Sequence, residues 1–248
     1  MQTFLHILSL TLLTFVFSAC SAKTAAYNWE RTKGAAYNAV VDPMTWAPLA
    51  TGLALDATGY DDDITDHIID KEEDLFTEED ADNLRTLTSA ITYTTAIIVP
   101  DDNLTLKTKR VLVEALAFTA GRSAVDIMND EIDREYPRPI PGEEDAIGSR
   151  HAVTPFLGAA LTRRNLAQND SIPDWGKYSI NTVSYMAATG SAYQRIEEGL
   201  HSVSDQLYSV MVGNFLALFI HDAFMADDMS LNIDVSKEET KVMVGMSF

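Results

Sequence analysis

Arg195, His201 and Asp205 stand at R-x5-H-x3-D spacing in the stretch Arg195-Ile-Glu-Glu-Gly-Leu-His201-Ser-Val-Ser-Asp205. A cation, an imidazole and a carboxylate this close together can form a nucleophilic site that binds phosphate. If a helix starts between His201 and Asp205, the carboxylate turns back to the imidazole. It then fixes the tautomer and leaves the other ring nitrogen free to attack. Arg195 falls at the end of the preceding helix, and Gly199 lets the chain reverse and aim the guanidinium at the same pocket. Planar Arg forks suit tetrahedral oxyanions. The spacing also admits a plainer reading, a surface Arg followed by an Asp-capped helix.

Two clusters upstream occur in the order such chemistry needs. Arg138-Pro139 puts a second guanidinium on a rigid loop, and Gly148-Ser149-Arg150-His151 puts a hydroxyl, a third guanidinium and a second imidazole at an expected helix start. The free backbone amides of a helix N-terminus favour anions. A phosphate monoester needs a nucleophile on one side, an acid for the leaving alkoxide on the other, and cations on the equatorial oxygens. His201, His151, and Arg138 with Arg195 meet those needs.

The elements that position these residues read as helices. Thr77-Glu78-Glu79-Asp80 is an N-terminal cap for a helix carrying Leu84, Leu87, Ile91 and Ile98, ended by Pro100-Asp101-Asp102. A second runs from about Leu104 to Asp130 with Val111, Leu112, Ala115, Leu116 and Phe118 on its apolar side. Tyr136-Pro137-Arg138-Pro139-Ile140-Pro141-Gly142 must be a loop. Further helices are expected at about 150–167, 177–196 and 204–224, giving five or six in all and an all-α helical bundle. Pro43 and Pro48 bracket a turn, and the run from Asp61 to Asp66 reads as a solvated, helix-capping acidic loop that lacks the Gly and terminal Glu of an EF-hand. Alternation at Met229, Leu231, Ile233 and Val235, and again at Val242, Val244, Met246 and Phe248, predicts a closing β-hairpin over 227–248.

With 248 residues, 46% hydrophobic and 22% charged, the chain supports one sizeable core, placed at 46–226. The net charge of -19 argues against a nucleic-acid partner. Any phosphate site must be a local Arg cluster in a negative field, which slows encounter with highly charged substrates. Residues 1–19 read as a targeting segment, with an apolar run from Phe4 to Phe17 that stops at Ser18-Ala19-Cys20. This resembles a bacterial lipoprotein signal with Cys20, the only cysteine, as the lipidation point and 20–45 as a tether passing into a first helix. Ser21 favours the outer membrane, with the domain in the periplasm. The stretch Leu207 to Phe219 is too short for a span and reads as a buried core helix.

Taken together, these clusters resemble the PAP2 phosphatase superfamily, which includes class A acid phosphatases, lipid phosphatases and vanadium haloperoxidases and carries K-x6-R-P, P-S-G-H and S-R-x5-H-x3-D motifs. The third motif appears here with Gln194 in place of Ser. The second keeps Ser149 and His151 but has Arg150 in place of Gly. The first keeps Arg138-Pro139 but has Glu131 where Lys is expected. The resemblance covers about 80–224 and implies an all-helical fold. It also implies a phosphohistidine on His201, Asp205 as the orienting partner, His151 as general acid, and Arg138, Arg195 and Ser149 as phosphate ligands. The substrate class would be a small phosphomonoester or a lipid phosphate. No metal is implied; vanadate enters as an inhibitor or, for a haloperoxidase, as a cofactor. Arg150 either points away or takes the role of the absent Lys, a role open to Arg134 and Arg122 as well. A catalytically degenerate PAP2-like domain with a binding or scaffolding role is the alternative. His221-Asp222 reads as a helix-end charge, Glu197 and Glu198 as a solvated loop, and Trp29, Trp46 and Trp175 as packing or lipid-facing residues.

Overall fold

The computed structural model describes residues 22–71, 74–100, 104–132, 134, 136–138, 147–225, 229–235 and 240–246. The expected targeting segment, Cys20, Pro139 to Gly142, and Phe248 lie outside them. The chain divides at Gly34 into a short N-terminal unit and a main body from Ala35. Helix α1 (Ala22–Val41) passes from one to the other. The body continues with α2 (Pro43–Thr58), α3 (Tyr60–Ile69), α4 (Glu78–Ile98) and α5 (Leu104–Glu131). It is completed by α6 (Arg150–Ala167), α7 (Asp174–Glu197) and α8 (Val203–Phe224). The fold is all-α, and a two-stranded antiparallel hairpin follows it, β1 (Met229–Val235) with β2 (Thr240–Met246), Met229 opposite Met246.

Local chemistry sets the helix ends. Thr77 and Asp80 form the expected capping box: Thr77 Oγ1 accepts from the Asp80 amide at 3.2 Å and Asp80 Oδ2 from the Thr77 amide at 2.9 Å. Asp42 caps α2 through the Met44 amide at 3.0 Å. Two segments differ from expectation. Pro43 opens α2 and Pro48 lies inside it, so no turn stands there. Pro at the first helical position is pre-set for helix, and Pro48 lacks one amide bond only a turn later. The acidic run is also helical: Asp61, Asp62 and Asp63 form the first turn of α3, where carboxylates complement the positive helix end. The described residues hold eight helices rather than five or six.

Helix α6 occupies the centre, packed by α4, α5, α7 and α8, and α2 packs on α8. Val113, Ala117, Phe118, Leu157, Leu161, Ala217 and Ile220 build the main core, and Ala152, Phe156, Ala188, Ala192 and Val210 a second one. Helix α8 is the one described helix long and apolar enough to cross a membrane, and most of its length is buried in the protein. The inward face of α4 is not the expected one, and α5 fully buries only Phe118 of its expected apolar side. Helix α4 turns Ala81, Thr88, Thr92 and Thr95 inward and leaves Leu87 and Ile98 exposed. Helix α5 buries Val113, Ala117, Gly121 and Val125 at four-residue spacing, together with Arg110 and Glu114. Threonine bonds across the helix interface explain the preference for α4: Thr92 Oγ1 donates to the Gly158 carbonyl at 2.8 Å and lies 3.2 Å from Thr162 Oγ1.

Glu114 accepts from Asn165 Nδ2 at 2.7 Å, while its Oε2 and Asn165 Oδ1 are buried without partners. Burial pushes the Glu114 carboxyl up to about 8, against the opposing Asn165 bond and Arg110 charge. A protonated carboxyl avoids placing a full charge at this buried position. The folded pKa is raised, so this contribution to stability is complete below the unfolded value and is lost as pH rises through about 8. Glu114→Gln should therefore gain on wild type by on the order of 2–4 kcal/mol between pH 5 and pH 9, read by denaturant unfolding at both pH values. At the contact between α6 and α8, a Cβ on Gly213 would stand 2.6 Å from the Val153 carbonyl oxygen. Gly213→Ala should lower stability by about 1–3 kcal/mol, seen as a drop in Tm.

Candidate functional site

Arg195 lies in the last turn of α7 and the chain reverses immediately after it. Gly199 donates to the Ile196 carbonyl at 2.9 Å, and the His201 amide to the Arg195 carbonyl at 3.3 Å. Gly199 takes φ +72°, and a Cβ there would fall 2.7 Å from Arg138 Cγ. A side chain at 199 is excluded both by backbone conformation and by Arg138 lying across the turn. The Arg138 amide donates to the Gly199 carbonyl at 3.0 Å and its Nη2 to the Ile69 carbonyl at 3.0 Å. Two separate motifs of the sequence therefore meet at one turn.

His201, buried, sits just ahead of α8 with its ring edge-on to Tyr136, centroids 6.3 Å apart. Ser202 and Asp205 form the capping box of α8: Asp205 Oδ2 accepts from the Ser202 amide at 2.9 Å and stands 4.0 Å from His201 Nδ1. Asp205 thus caps its own helix as its main task and faces the imidazole at longer range. Its other oxygen lies 3.2 Å from Arg134 Nε. Burial pushes the Asp205 carboxyl up to about 7; Arg134 and the Ser202 bonds oppose this and Asp61 adds to it.

Ser149 is the N-cap of α6, with its amide donating to Ser209 Oγ at 3.0 Å and its own Oγ buried and unpartnered. His151, one residue into the helix, places Nε2 3.0 Å from Asp82 Oδ1 on α4. Burial lowers its pKa, helped by the positive charge of Arg195 and of Arg85 and opposed by Asp82. Arg195 acts on both His151 and Asp82, which puts all three in one electrostatic neighbourhood. Its guanidinium is held by Glu198 at 2.7 Å.

Topology brings these groups to one end of the bundle. Helices α6 and α7 pack together and are joined by the short connection 168–173, so the start of α6 lies beside the end of α7. The reversal at Gly199 sends α8 back from that same end. Ser149, His151, Arg195, Arg138, His201 and Asp205 all lie at this end.

Arg150 points elsewhere, to Asp126 on α5, and is more than half exposed. It does not replace the missing lysine, and Glu131 is exposed at the end of α5 rather than directed inward. Glu197 is not in a solvated loop: it is 3% exposed and accepts the amides of Leu75 at 3.0 Å and Phe76 at 3.3 Å. His221, expected as a helix-end charge, is buried beside Asp222 and Gln168. Among the described residues, no three His, Cys, Asp or Glu side chains converge as metal ligands.

Arg134, named above only as a stand-in for the absent lysine, centres a cluster that the sequence did not signal. It contacts Asp56 at 3.0 Å, Asp61 at 2.8 Å and Asp205 at 3.2 Å, joining α2, α3 and α8. Asp61 accepts the Ser204 amide at 2.8 Å, and Tyr208 donates to Asp56. Although burial disfavours its charge, hydrogen bonds from Arg134 and Tyr208 hold Asp56 below the ordinary carboxylate value. Four carboxylate and guanidinium groups so arranged brace the backbone beneath His201.

Arg195→Gln removes the cation that most disfavours a proton on His151, so the His151 ring should titrate at higher pH, followed by NMR of the ring carbons. An unchanged titration would remove Arg195 from the pocket. No known protein family, curated protein or solved structure matches this chain.

Proposed function

We propose that the chain is a metal-independent phosphomonoesterase of PAP2 type, acting on a small phosphomonoester or lipid phosphate. In this reading, lipid on Cys20 holds it at the outer membrane, facing the periplasm. One observation carries the proposal: the starts of α6 and α8 and the end of α7 share one end of the bundle, bringing Ser149, His151, Arg195, Arg138 and His201 there in motif order.

The chemistry follows from the positions. Asp205 faces Nδ1 of His201, so Nε2 attacks phosphorus. The ester P–O bond breaks as the P–N bond forms, and the leaving alkoxide takes its proton from His151. Water then attacks the phosphohistidine, gives its proton back to His151, and frees phosphate and His201. Arg195, Arg138 and Ser149 stabilise the equatorial oxygens. Arg195 must exchange Glu198 for phosphate. This is feasible because that carboxylate is 34% exposed and regains water on release.

A second reading, a PAP2-like binding domain without turnover, draws on particular contacts. Arg150 is paired with Asp126, Arg134 is shared among three carboxylates, and Glu131 occupies the lysine position. A vanadate-dependent haloperoxidase is a weaker reading, because that pocket relies on the same lysine; halide oxidation with added vanadate tests it.

The expected outcome is hydrolysis of an aryl phosphate that is vanadate-sensitive and chelator-resistant, with His201→Ala lowering kcat by about 10³-fold or more. The acid must be protonated and its pKa is lowered, so the rate should peak on the acid side of neutrality. Wild-type turnover no better than that of His201→Ala would leave the binding reading standing.

A further inference from the structure

Gln206, in the second turn of α8, is 4% exposed, and neither Oε1 nor Nε2 has a hydrogen-bond partner within the protein. Each such group costs about 1–3 kcal/mol when left unmet, so a buried amide with both ends open calls for a partner. The register between α6 and α8 shows where it lies. Gln206, Ser209 and Gly213 share one face of α8 by three- and four-residue spacing. Ser209 Oγ accepts from the Ser149 amide at 3.0 Å, and Gly213 lies against the Val153 carbonyl. The higher-numbered contact on α8 matches the higher-numbered one on α6, so the two helices run in the same direction. One turn before Ser209 therefore falls ahead of the first residue of α6. At that start of α6, Ser149 Oγ is itself buried at 1% exposure without a partner, and no side chain caps the helix.

We infer that Gln206 reads the alcohol half of the substrate and selects a phosphomonoester carrying a hydroxyl close to the ester, that is, a polyol phosphate. The amide offers one donor and one acceptor, the complement of a hydroxyl, which accepts and donates at a single oxygen. It carries no charge, and the chain's net charge of -19 disfavours a second anionic group on the same ligand. In this inference the phosphate lies at the start of α6 with Ser149 Oγ, and its ester oxygen turns toward the neighbouring turn of α8, which carries Gln206. The inference rests on the phosphatase reading for the identity of the phosphate site, but the discrimination comes from Gln206 alone.

The test compares glycerol 3-phosphate with propyl phosphate, which has the same carbon chain and no hydroxyl, on the full-length protein in detergent. Wild type should favour glycerol 3-phosphate in kcat/KM by about tenfold or more, and Gln206→Leu should bring the ratio toward one. Gln206→Met gives the same comparison if the leucine variant does not fold. Thermal stabilisation by the two esters is measured in parallel and needs no turnover. Preferential stabilisation by glycerol 3-phosphate that depends on Gln206, without hydrolysis, would uphold the inference while removing the phosphatase reading. If wild type treats the two esters alike in both measurements, or Gln206→Leu leaves their ratio unchanged, the inference is overturned and the amide belongs to a wet core position.

Discussion

The near-contact of backbone between α6 and α8 is the constraint on which the rest of this molecule depends. At Gly213 the missing side chain lets α8 lie against the Val153 carbonyl and the Leu157 amide of α6. Interiors are close-packed, so an approach this tight leaves little freedom for the two helices to slide. It sets Ser149 against Ser209 and fixes which turn of α8 overhangs the start of α6. The position of His201 follows, because α8 begins only two residues later and its capping box fixes the first turn. Helix α7 then has to end beside both starts, since short connections bind it at each end.

Charge acts on this frame as a second constraint. Acidic residues outnumber Lys and Arg, 37 to 18, so a guanidinium near the site has a carboxylate competing for it. Arg134, Arg150 and Arg195 each have such a partner. The partners differ in kind. Arg134 is braced among three carboxylates, one of them 2% and another 3% exposed, and removing it would strand buried charge. Arg195 has a single glutamate, 34% exposed, at the C-cap of its own helix, a pair that leaves no buried carboxylate behind when it opens. At this end of the bundle, therefore, one arginine is locked among buried carboxylates and another is held by a carboxylate near the surface.

The same contrast explains how far the sequence could be read. Helix ends were legible because capping is local: Thr77 with Asp80 and Ser202 with Asp205 lie within four positions of each other. The reversal at Gly199 was legible because only glycine suits φ +72° there. Inward faces were not. Helix α4 buries threonines that bond to α6, and helix α5 buries Arg110 and Glu114 alongside the expected Phe118. Burial of polar residues depends on partners far away in sequence, which periodicity does not reveal. The Arg134 cluster failed to appear for that reason, since Asp56, Asp61 and Asp205 reach it across long stretches of chain. Helix α2 was missed because Pro48 reads as a breaker, whereas packing of α2 on α8 carries the helix through it.

The two titratable partners of the proposed chemistry are biased in opposite directions, and that bias says what the ligand must contribute. Burial pushes Asp205 up to about 7, favouring the neutral acid, while burial and Arg195 lower His151, favouring the neutral base. Attack by His201 with proton donation by His151 needs the reverse of both, an anionic Asp205 and a cationic His151. In the unliganded protein both shifts work against that form. A phosphate dianion changes the balance where it binds. It neutralises the field of Arg195 that holds His151 down, and it favours the imidazolium directly through its own charge. A neutral ligand of the same shape does neither. On this reading the acid of the site is charged by the substrate it serves, and the low proton affinity of empty His151 discriminates against uncharged molecules.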